Sequence, residues 1–254
     1  MNNLVVKSVS HSYLDNKILD NLSLELIDGE ITCLIGESGT GKTTLLRIIA
    51  GLEKQTSGEL ILGNEVISND SLFKDANKRN IGLVLQERAL FPHLKVIENI
   101  SFGLDGTKKE KIKRSKELME TFKILQHENS YPHEISSGEQ QRVALARALA
   151  PSPKVLLMDE PFSALDRALK FSLRMDTRKI LKSENITVLM VSHDYNDALV
   201  VADKLAIMSD GKIAQIGPPK EVVLNPINKE IKKQFVCETG DMLYWKSILE
   251  EESQ

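Results

Sequence analysis

A glycine-rich segment between a predicted strand and a predicted helix carries the residues best suited to chemistry. Residues Ile31 to Ile35 are apolar and indicate a buried strand, and the helical pattern from Thr44 to Ala50 ends at Gly51. The residues between them are Gly36, Glu37, Ser38, Gly39, Thr40, Gly41, Lys42 and Thr43. Glycines at this spacing let backbone N–H groups turn toward an anion at a helix N-terminus. The segment, with Thr44, therefore predicts a site that binds the phosphates of a nucleotide, and residues 36–44 are called the phosphate loop below.

Two side chains of this segment have predicted roles toward ATP. Lys42 is placed to reach the β- and γ-phosphates, and the Thr43 hydroxyl is placed to ligate Mg²⁺. The alternative is an ordinary glycine-rich turn, but the strand before the segment and the helix after it favour the phosphate site.

A pair of acids supplies the second part of the predicted site. The apolar residues Val155 to Met158 indicate a buried strand that ends at Asp159 and Glu160. Ligands bind where the carboxyl ends of parallel strands meet, so we expect these acids to face the nucleotide. Asp159 is predicted to hold Mg²⁺, and Glu160 to polarise the attacking water as a general base. The alternative, that the acids only begin a solvent loop, is disfavoured beside a phosphate loop.

Composition excludes several classes of function. A formal net charge of −3 over 254 residues is too small to indicate a nucleic-acid partner. Cys33 and Cys237 lie far apart, which indicates reduced thiols in a cytosolic protein and no disulfide framework or metal cluster. The N-terminal residues lack the apolar core of a signal peptide, and no run of about eighteen apolar residues predicts a membrane span. Any role at a membrane therefore depends on a partner.

The rest of the chain predicts strands first, then helices, then an alternation of both. Strands are expected over Leu22–Leu26 and Glu59–Asn64, and Asp28-Gly29 is a hairpin signal before the strand at Ile31. From about residue 87 to 150 the pattern is helical and more charged. From 154 strands alternate with helices, which predicts a parallel sheet with helices on both faces. The predicted elements of this part are Val155–Met158, a helix from about Asp166 to Lys182, Thr187–Val191, a helix from Asp194, and Leu205–Met208.

A set of motifs in order along the chain then resembles those of the ABC ATPases. Residues Ile135 to Arg142, which include Ser136, Ser137 and Gly138, resemble the signature that precedes the acidic strand in that family. Tyr13 matches the adenine-stacking aromatic, Gln86 the glutamine of the Q-loop, and His193 the switch histidine. The D-loop is matched by Ser163 to Asp166, and the phosphate loop and acidic strand complete the set.

The resemblance implies a fold and a domain organisation. The fold class is α/β, a phosphate-loop NTPase of ABC type, with a parallel-sheet core, an N-terminal antiparallel β-subdomain and a small helical subdomain. Residues 1–254 form one ATPase domain, in which 1–86 and 154–217 are the core and 87–153 the helical subdomain. Residues 218–254 are a helical tail, too short for the regulatory β-domain that many relatives carry.

The resemblance also implies roles for the matched residues. Tyr13 stacks on adenine, Gln86 orients Mg²⁺ and water, and His193 bonds the γ-phosphate, so that Glu160, His193, Gln86 and Lys42 form the catalytic set. Ser136, Ser137 and Gly138 bind the ATP of a second, head-to-tail copy of the chain, and Asp166 lies at that seam. Taken alone, each of these residues has an ordinary interpretation as a packed, solvated or capping side chain.

Two signature residues depart from the family pattern. Ser137 replaces a glycine, and a serine tolerates a positive φ less well than glycine does. Glu139 replaces a glutamine and adds a negative charge near the expected phosphate. Both departures lead us to expect a weaker closure of the dimer around ATP.

The segment from Glu87 to Ile100 resembles the Q-loop region of importers that depend on a binding protein. The resemblance implies an ATPase subunit at the cytoplasmic face of the membrane, with separate permease subunits, an indirect link to a substrate-binding protein and no nucleic acid. The acidic strand and D-loop resemble those of the iron(III), molybdate, sulfate and polyamine branch. Leu90, Phe91 and Leu94 either form the floor of a groove for the permease or pack internally. An exporter subunit, and a soluble ATPase acting on nucleic acid or ribosomes, remain alternatives.

Overall fold

A computed structural model of the chain describes residues 3–163, 167–229 and 231–232, without the side chains of residues 167–169. Asp166, Cys237 and most of the predicted tail lie outside the described residues. The described part contains two β-sheets, one of four strands and one of six.

The smaller sheet is antiparallel and has the strand order β2-β1-β4-β5. Its strands are β1 (Leu4–Tyr13), β2 (Asn16–Leu26), β4 (Ser57–Leu62) and β5 (Glu65–Ser68). In β2 the leucines at 22, 24 and 26 are buried, whereas Ser23 and Glu25 are exposed. This alternation of apolar and polar residues is typical of a strand with one face on the core, and it confirms the strand predicted there.

The larger sheet has the order β10-β9-β3-β8-β7-β6. Its strands are β3 (Ile31–Ile35), β6 (Ile81–Val84), β7 (Val155–Asp159), β8 (Thr187–Ser192), β9 (Lys204–Ser209) and β10 (Lys212–Gly217). Strands β9 to β6 are parallel, and β10 is an antiparallel edge strand that the sequence did not predict. All residues of β3 and β8 are buried, as expected for parallel strands covered on both faces.

Seven α-helices surround the larger sheet in the described part of the chain. They are α1 (Lys42–Ala50), α2 (Val96–Ser101), α3 (Lys108–Thr121), α4 (Ser137–Leu149), α5 (Arg167–Ser183), α6 (Tyr195–Val201) and α7 (Pro219–Leu224). One sheet face packs against α1 and the smaller sheet, and the other packs against α2 to α7. This arrangement confirms the predicted α/β class. Among the described helices, none has the length and apolar character needed to cross a bilayer.

The hairpin predicted at Asp28-Gly29 is wrong, although the turn itself exists. Gly29 has a φ of +72°, and Glu30 N donates to Ile27 O at 3.1 Å, so the chain reverses as expected. However, β2 and β3 belong to different sheets. Gly29 N donates to Thr187 Oγ1 at 3.1 Å, which ties the turn to the start of β8. The parallel neighbours of β3 therefore decide its pairing.

A buried arginine closes the C-terminal end of α1. Arg79 is 1% exposed, and its Nη1 donates to Ile48 O at 2.7 Å and to Ile49 O at 2.9 Å. A cation at a helix C-terminus is favoured by the helix dipole and satisfies carbonyls that have no partner within the helix. Gly51, the C-cap of α1, has a φ of +79° and leaves room for the guanidinium.

We predict that Gly51→Ala destabilises the protein by about 2 kcal/mol or more. An alanine at this position would have to adopt a left-handed backbone conformation, which costs about 1–2 kcal/mol. Its methyl group would also lie 2.5 Å from Arg79 Nε. Chemical denaturation measures the free energy of unfolding. Gly103→Ala is the matched control, since a methyl group at Gly103 meets its nearest atom at 3.7 Å. Equal stability of the two variants would contradict this assignment.

Candidate functional site

The predicted phosphate-binding and catalytic residues lie at the carboxyl ends of four adjacent parallel strands. The phosphate loop follows β3, His193 follows β8, Asp159 ends β7 and is followed by Glu160, and Gln86 follows β6. In the register of the sheet, Ile35 pairs with Ser192, and Asp159 pairs with Val191. The sheet therefore gathers at one edge residues that are far apart in the sequence, as open α/β sheets do.

The phosphate loop turns sharply into α1 because Gly41 adopts a conformation that other residues avoid. Its φ is +100°, and a Cβ there would lie 2.8 Å from Leu19 Cδ2 and 2.9 Å from Ile18 Cγ2. The smaller sheet thus presses directly on the loop. The loop is also closed internally, since Thr40 Oγ1 donates to Glu37 O at 2.9 Å. The N-terminus of α1 is consequently fixed beneath the loop.

Lys42 places a buried positive charge at the centre of the loop. The side chain is 8% exposed, and its ammonium donates to Gly36 O at 2.7 Å and to Glu37 O at 2.9 Å. An ammonium has three donors, so a third can serve an anion. Burial lowers the pKa of Lys42, while the charges of Glu160 and Asp159 oppose that shift.

The side-chain oxygens of Asp159 and Thr43 lie together beside this charge. Burial raises the pKa of Asp159, and the neighbouring Glu160 raises it further, while Lys42 and a hydrogen bond from Thr43 lower it. A divalent cation would offset the repulsion between the two carboxylates. Hydroxyl and carboxylate oxygens are the ligands that Mg²⁺ takes in addition to phosphate oxygens and water.

Glu160 is held by its neighbours in a strained backbone conformation. Its φ is +45°, which is uncommon for a residue other than glycine. Its N–H donates to Val191 O at 2.9 Å, and its carbonyl accepts from Ser163 Oγ at 2.9 Å. Strain of this kind costs about 1–3 kcal/mol and persists where the surroundings impose it, often at functional sites.

The Glu160 carboxylate contacts two of the other three predicted catalytic side chains, His193 and Gln86. His193 Nδ1 lies 3.1 Å from Glu160 Oε1, and Gln86 Nε2 donates to Glu160 Oε2 at 3.3 Å. The His193 side chain is 58% exposed, so its ring faces solvent on the rest of its surface. The structure thus brings Gln86 to Glu160, whereas Thr43 is the side chain that bonds Asp159.

The residues present fit a nucleoside triphosphate with Mg²⁺. The loop presents a buried ammonium and the N-terminus of a nine-residue helix, both of which favour a polyanion. Among the described residues, no group of three His, Cys, Asp or Glu side chains could hold a metal unaided. Phosphate oxygens would therefore complete the coordination offered by Thr43 and Asp159.

Tyr13 is anchored by a residue that the sequence did not indicate. Its hydroxyl donates to Glu53 Oε2 at 2.7 Å, and its ring meets the His11 ring edge-on with centroids 4.9 Å apart. Glu53 also lies 3.0 Å from His11 Nε2. The Tyr13 ring is 44% exposed and can still stack on a base. A separation of forty residues gives no sequence signal for the contact between Tyr13 and Glu53.

The signature residues lie at the start of α4, in the helical part of the molecule. Ser136 is the N-cap, and its hydroxyl accepts from Glu139 N at 3.4 Å. Ser137 is the first helical residue and has a negative φ. The expected penalty for a serine at a positive φ is therefore wrong, since the helix imposes an ordinary conformation. Gly138 is buried, and a Cβ built on it would meet no atom within 4 Å apart from its own neighbours in the chain and the backbone of α4.

The acid of Glu139 is engaged in the cap of α4. Its Oε2 accepts from Ser136 N at 2.8 Å and from Ser136 Oγ at 2.7 Å, and its Oε1 lies 2.7 Å from His127 Nε2. The Ser136 hydroxyl contributes most to lowering the Glu139 pKa, and His127 contributes as well. The sequence assigned no role to His127.

The segment after Gln86 is tied to α4. Arg147 donates to Ala89 O at 2.8 Å and to Arg88 O at 2.9 Å, and its guanidinium lies 5.4 Å from the centre of the Phe91 ring. Leu90, Phe91 and Leu94 are half-buried, and Leu90 packs on the main core. The Phe91 ring also contacts Phe102, which is 62% exposed and was not predicted. Internal packing therefore accounts for part of each apolar surface.

Comparison with known proteins finds close relatives. Residues 19–163 match the family described as ABC transporter. The chain is 44% identical over 240 residues to the Fe(3+) ions import ATP-binding protein FbpC of Yersinia pestis bv. Antiqua (strain Antiqua), covering 94% of this chain and 68% of that protein. It is 42% identical over 240 residues to the protein of the same name from Serratia marcescens, covering 94% and 69%. The solved dimer of the ATP-binding cassette MJ0796, in a post-hydrolysis state with ADP and Pi, is 31% identical with a TM-score of 0.73, covering 85% of this chain and 98% of that one.

Proposed function

The chain belongs to the ABC transporter family and is an ATP-binding, ATP-hydrolysing member of it; from this premise we propose that it powers the import of iron(III) ions. The proposal has two parts, the chemistry of the site and the system that the site drives.

One observation carries the chemistry. Lys42, Asp159, Glu160 and His193 meet at the carboxyl ends of three adjacent strands, with Glu160 in contact with His193 at 3.1 Å. A buried cation, a pair of acids and an imidazole are suited to phosphoryl transfer to water, because catalysis of that reaction depends on positioning and on neutralising charge.

The phosphate loop and its neighbours hold the substrate. Residues 36–44 bind the phosphates of ATP through backbone N–H groups and the Lys42 ammonium, and Tyr13 stacks on the adenine. Thr43 and Asp159 hold Mg²⁺, which when bound neutralises charge on the β- and γ-phosphates. Gln86 joins this set through its amide, which reaches the Glu160 carboxylate.

Glu160 acts as the general base. Its carboxylate accepts a proton from a water that attacks the γ-phosphorus in line with the bond to ADP, and inorganic phosphate and ADP are the products. His193 bonds the γ-phosphate and orients the Glu160 carboxylate. The strained backbone of Glu160 fixes the direction of that carboxylate before ATP binds.

The signature acts in a second copy of the chain. Ser136, Ser137 and Gly138 lie at the N-terminus of a thirteen-residue helix and bind the ATP held by the partner copy in a head-to-tail dimer. The related MJ0796 structure is a dimer, which supports this arrangement. Asp166 is assigned to the same seam from its place in the sequence alone.

The import role is supported by the relatives. Proteins that share 42–44% identity with almost the whole chain bear the name of Fe(3+) ions import ATP-binding proteins. We therefore assign the chain to the cytoplasmic face of the cell membrane, as a peripheral subunit bound to separate permease subunits. A substrate-binding protein delivers iron(III) to those permeases, and the ATPase does not contact the cargo.

We predict that Lys42→Ala lowers the rate of phosphate release by about a hundredfold or more. The variant removes the buried cation that neutralises charge as the γ-phosphate leaves, and loss of one such donor costs about 10²–10³ in rate. The exposed Lys54, whose ammonium bonds Asp70 O, provides the control Lys54→Ala. If Lys42→Ala hydrolysed ATP as fast as Lys54→Ala, the assignment of the phosphate-binding site would be refuted.

The import role predicts specific partners. When the tagged Glu160→Gln protein is recovered with ATP from gently solubilised membranes of its own cell, mass spectrometry should identify permease subunits and a substrate-binding protein. That binding protein should bind iron(III) and not molybdate, sulfate or a polyamine. A permease without a binding protein would indicate export, and ribosomes or DNA would end the transport role.

A further inference from the structure

Both neighbours of His193 are held by one buried network. Ser192, which precedes His193, donates through its Oγ to Asp197 Oδ2 at 2.5 Å. Asp194, which follows His193, donates through its N–H to Ser192 Oγ at 3.0 Å. Both carboxylates, those of Asp194 and Asp197, bind a single guanidinium, that of Arg174.

Arg174 reaches this turn from α5. Its Nε donates to Asp197 Oδ1 and its Nη2 to Asp194 Oδ2, each at 2.6 Å. Arg174 is 6% exposed and Asp197 is 2% exposed. A buried charge is costly unless it is paired and hydrogen-bonded, so the guanidinium fixes both carboxylates, and through them the two residues that flank His193.

The same guanidinium also lies against the segment that follows Glu160. It is 5.9 Å from the centre of the Phe162 ring, which is fully buried. One side chain therefore contacts the turn that carries His193 and the turn that carries Glu160. These are the two side chains that meet at 3.1 Å.

We infer that Arg174 is a positioning residue for ATP hydrolysis, which sets the His193 ring against the Glu160 carboxylate. The inference rests on the proposed function, because it assumes that His193 and Glu160 act on ATP. The His193 side chain is 58% exposed, so little packing restrains its ring. Its direction therefore depends on the backbone on either side, and the Arg174 network holds that backbone.

A purely structural role for Arg174 is the alternative, and α5 offers a matched control. Arg178, four residues further along α5, donates to Asp203 Oδ1 at 2.8 Å and also bonds Val201 O. Arg178 thus joins α5 to the end of α6 and the start of β9. It performs the same kind of bridging without a contact to either neighbour of His193.

The test compares Arg174→Lys with Arg178→Lys in the full chain. Lysine keeps the charge but cannot bind two carboxylates through a planar fork. We expect Arg174→Lys to lower kcat for ATP hydrolysis by about tenfold or more, since small misplacements of reacting groups are costly, and to leave KM for ATP within about twofold. Arg178→Lys should keep kcat within about twofold of that of the unsubstituted protein. This should hold even if Arg178→Lys lowers the melting temperature as much as Arg174→Lys does.

A double variant separates positioning from general damage. If Arg174 acts through His193, then Arg174→Lys should cause no further loss of kcat in a His193→Ala background. If the two losses of kcat multiply in the double variant, the inference is overturned. The inference is also overturned if Arg174→Lys and Arg178→Lys have equal kcat while His193→Ala is inactive. Either result leaves the proposed function standing. Full turnover by His193→Ala would instead refute the proposed role of His193.

A second variant, Asp194→Asn, tests the positioning role of Arg174 if Arg174→Lys fails to fold. Asp194→Asn keeps the N-cap of α6, because an asparagine oxygen can still accept from Asn196 N. It removes one of the two negative charges that pair with Arg174. We expect the same loss of kcat with little change in KM, and an unchanged kcat would overturn the inference.

Discussion

The parallel pairing of β3, β8 and β7 is the constraint on which the site depends. Neighbouring strands lie about 4.8 Å apart, so the residues that follow them are within reach of one another only if all three strands end at the same edge. The register supplies this, because Ile35 lies beside Ser192, and Val191 beside Asp159. A shift of a single residue would turn the side chains of a strand to the opposite face and would separate Glu160 from His193.

The site is built at a cost that the rest of the fold offsets. Lys42 is a buried cation, Asp159 and Glu160 are adjacent acids, and Glu160 has a left-handed backbone. Each of these features is unfavourable in isolation. The two closely packed cores on the faces of the sheet hold them in place. Such a site is organised before its substrate arrives, which is how electrostatic catalysis avoids rearrangement during the reaction.

Each part of the site that the sequence predicted is a short contiguous segment beside one strand. The phosphate loop is bounded by its own strand and helix, and Asp159, Glu160 and His193 directly follow apolar strands, so local patterns suffice. The contacts that sequence reasoning missed join distant segments: Tyr13 to Glu53, His127 to Glu139, and Arg174 to Asp194. The hairpin at Asp28-Gly29 failed for the same reason, because turn chemistry reverses the chain without choosing the partner strand. The expected penalty for a serine at a positive φ at position 137 was wrong, because Ser136 caps α4 and Ser137 therefore has the backbone conformation of a helical residue.

The most direct measurement is the mass of the Glu160→Gln protein in solution, by light scattering, with and without ATP and Mg²⁺. If Glu160 activates water and the signature of one copy binds the ATP of another, the mass doubles on addition of ATP and stays doubled. Nucleotide binding is measured in the same samples. A protein that binds ATP and remains a monomer would contradict the shared site between two copies.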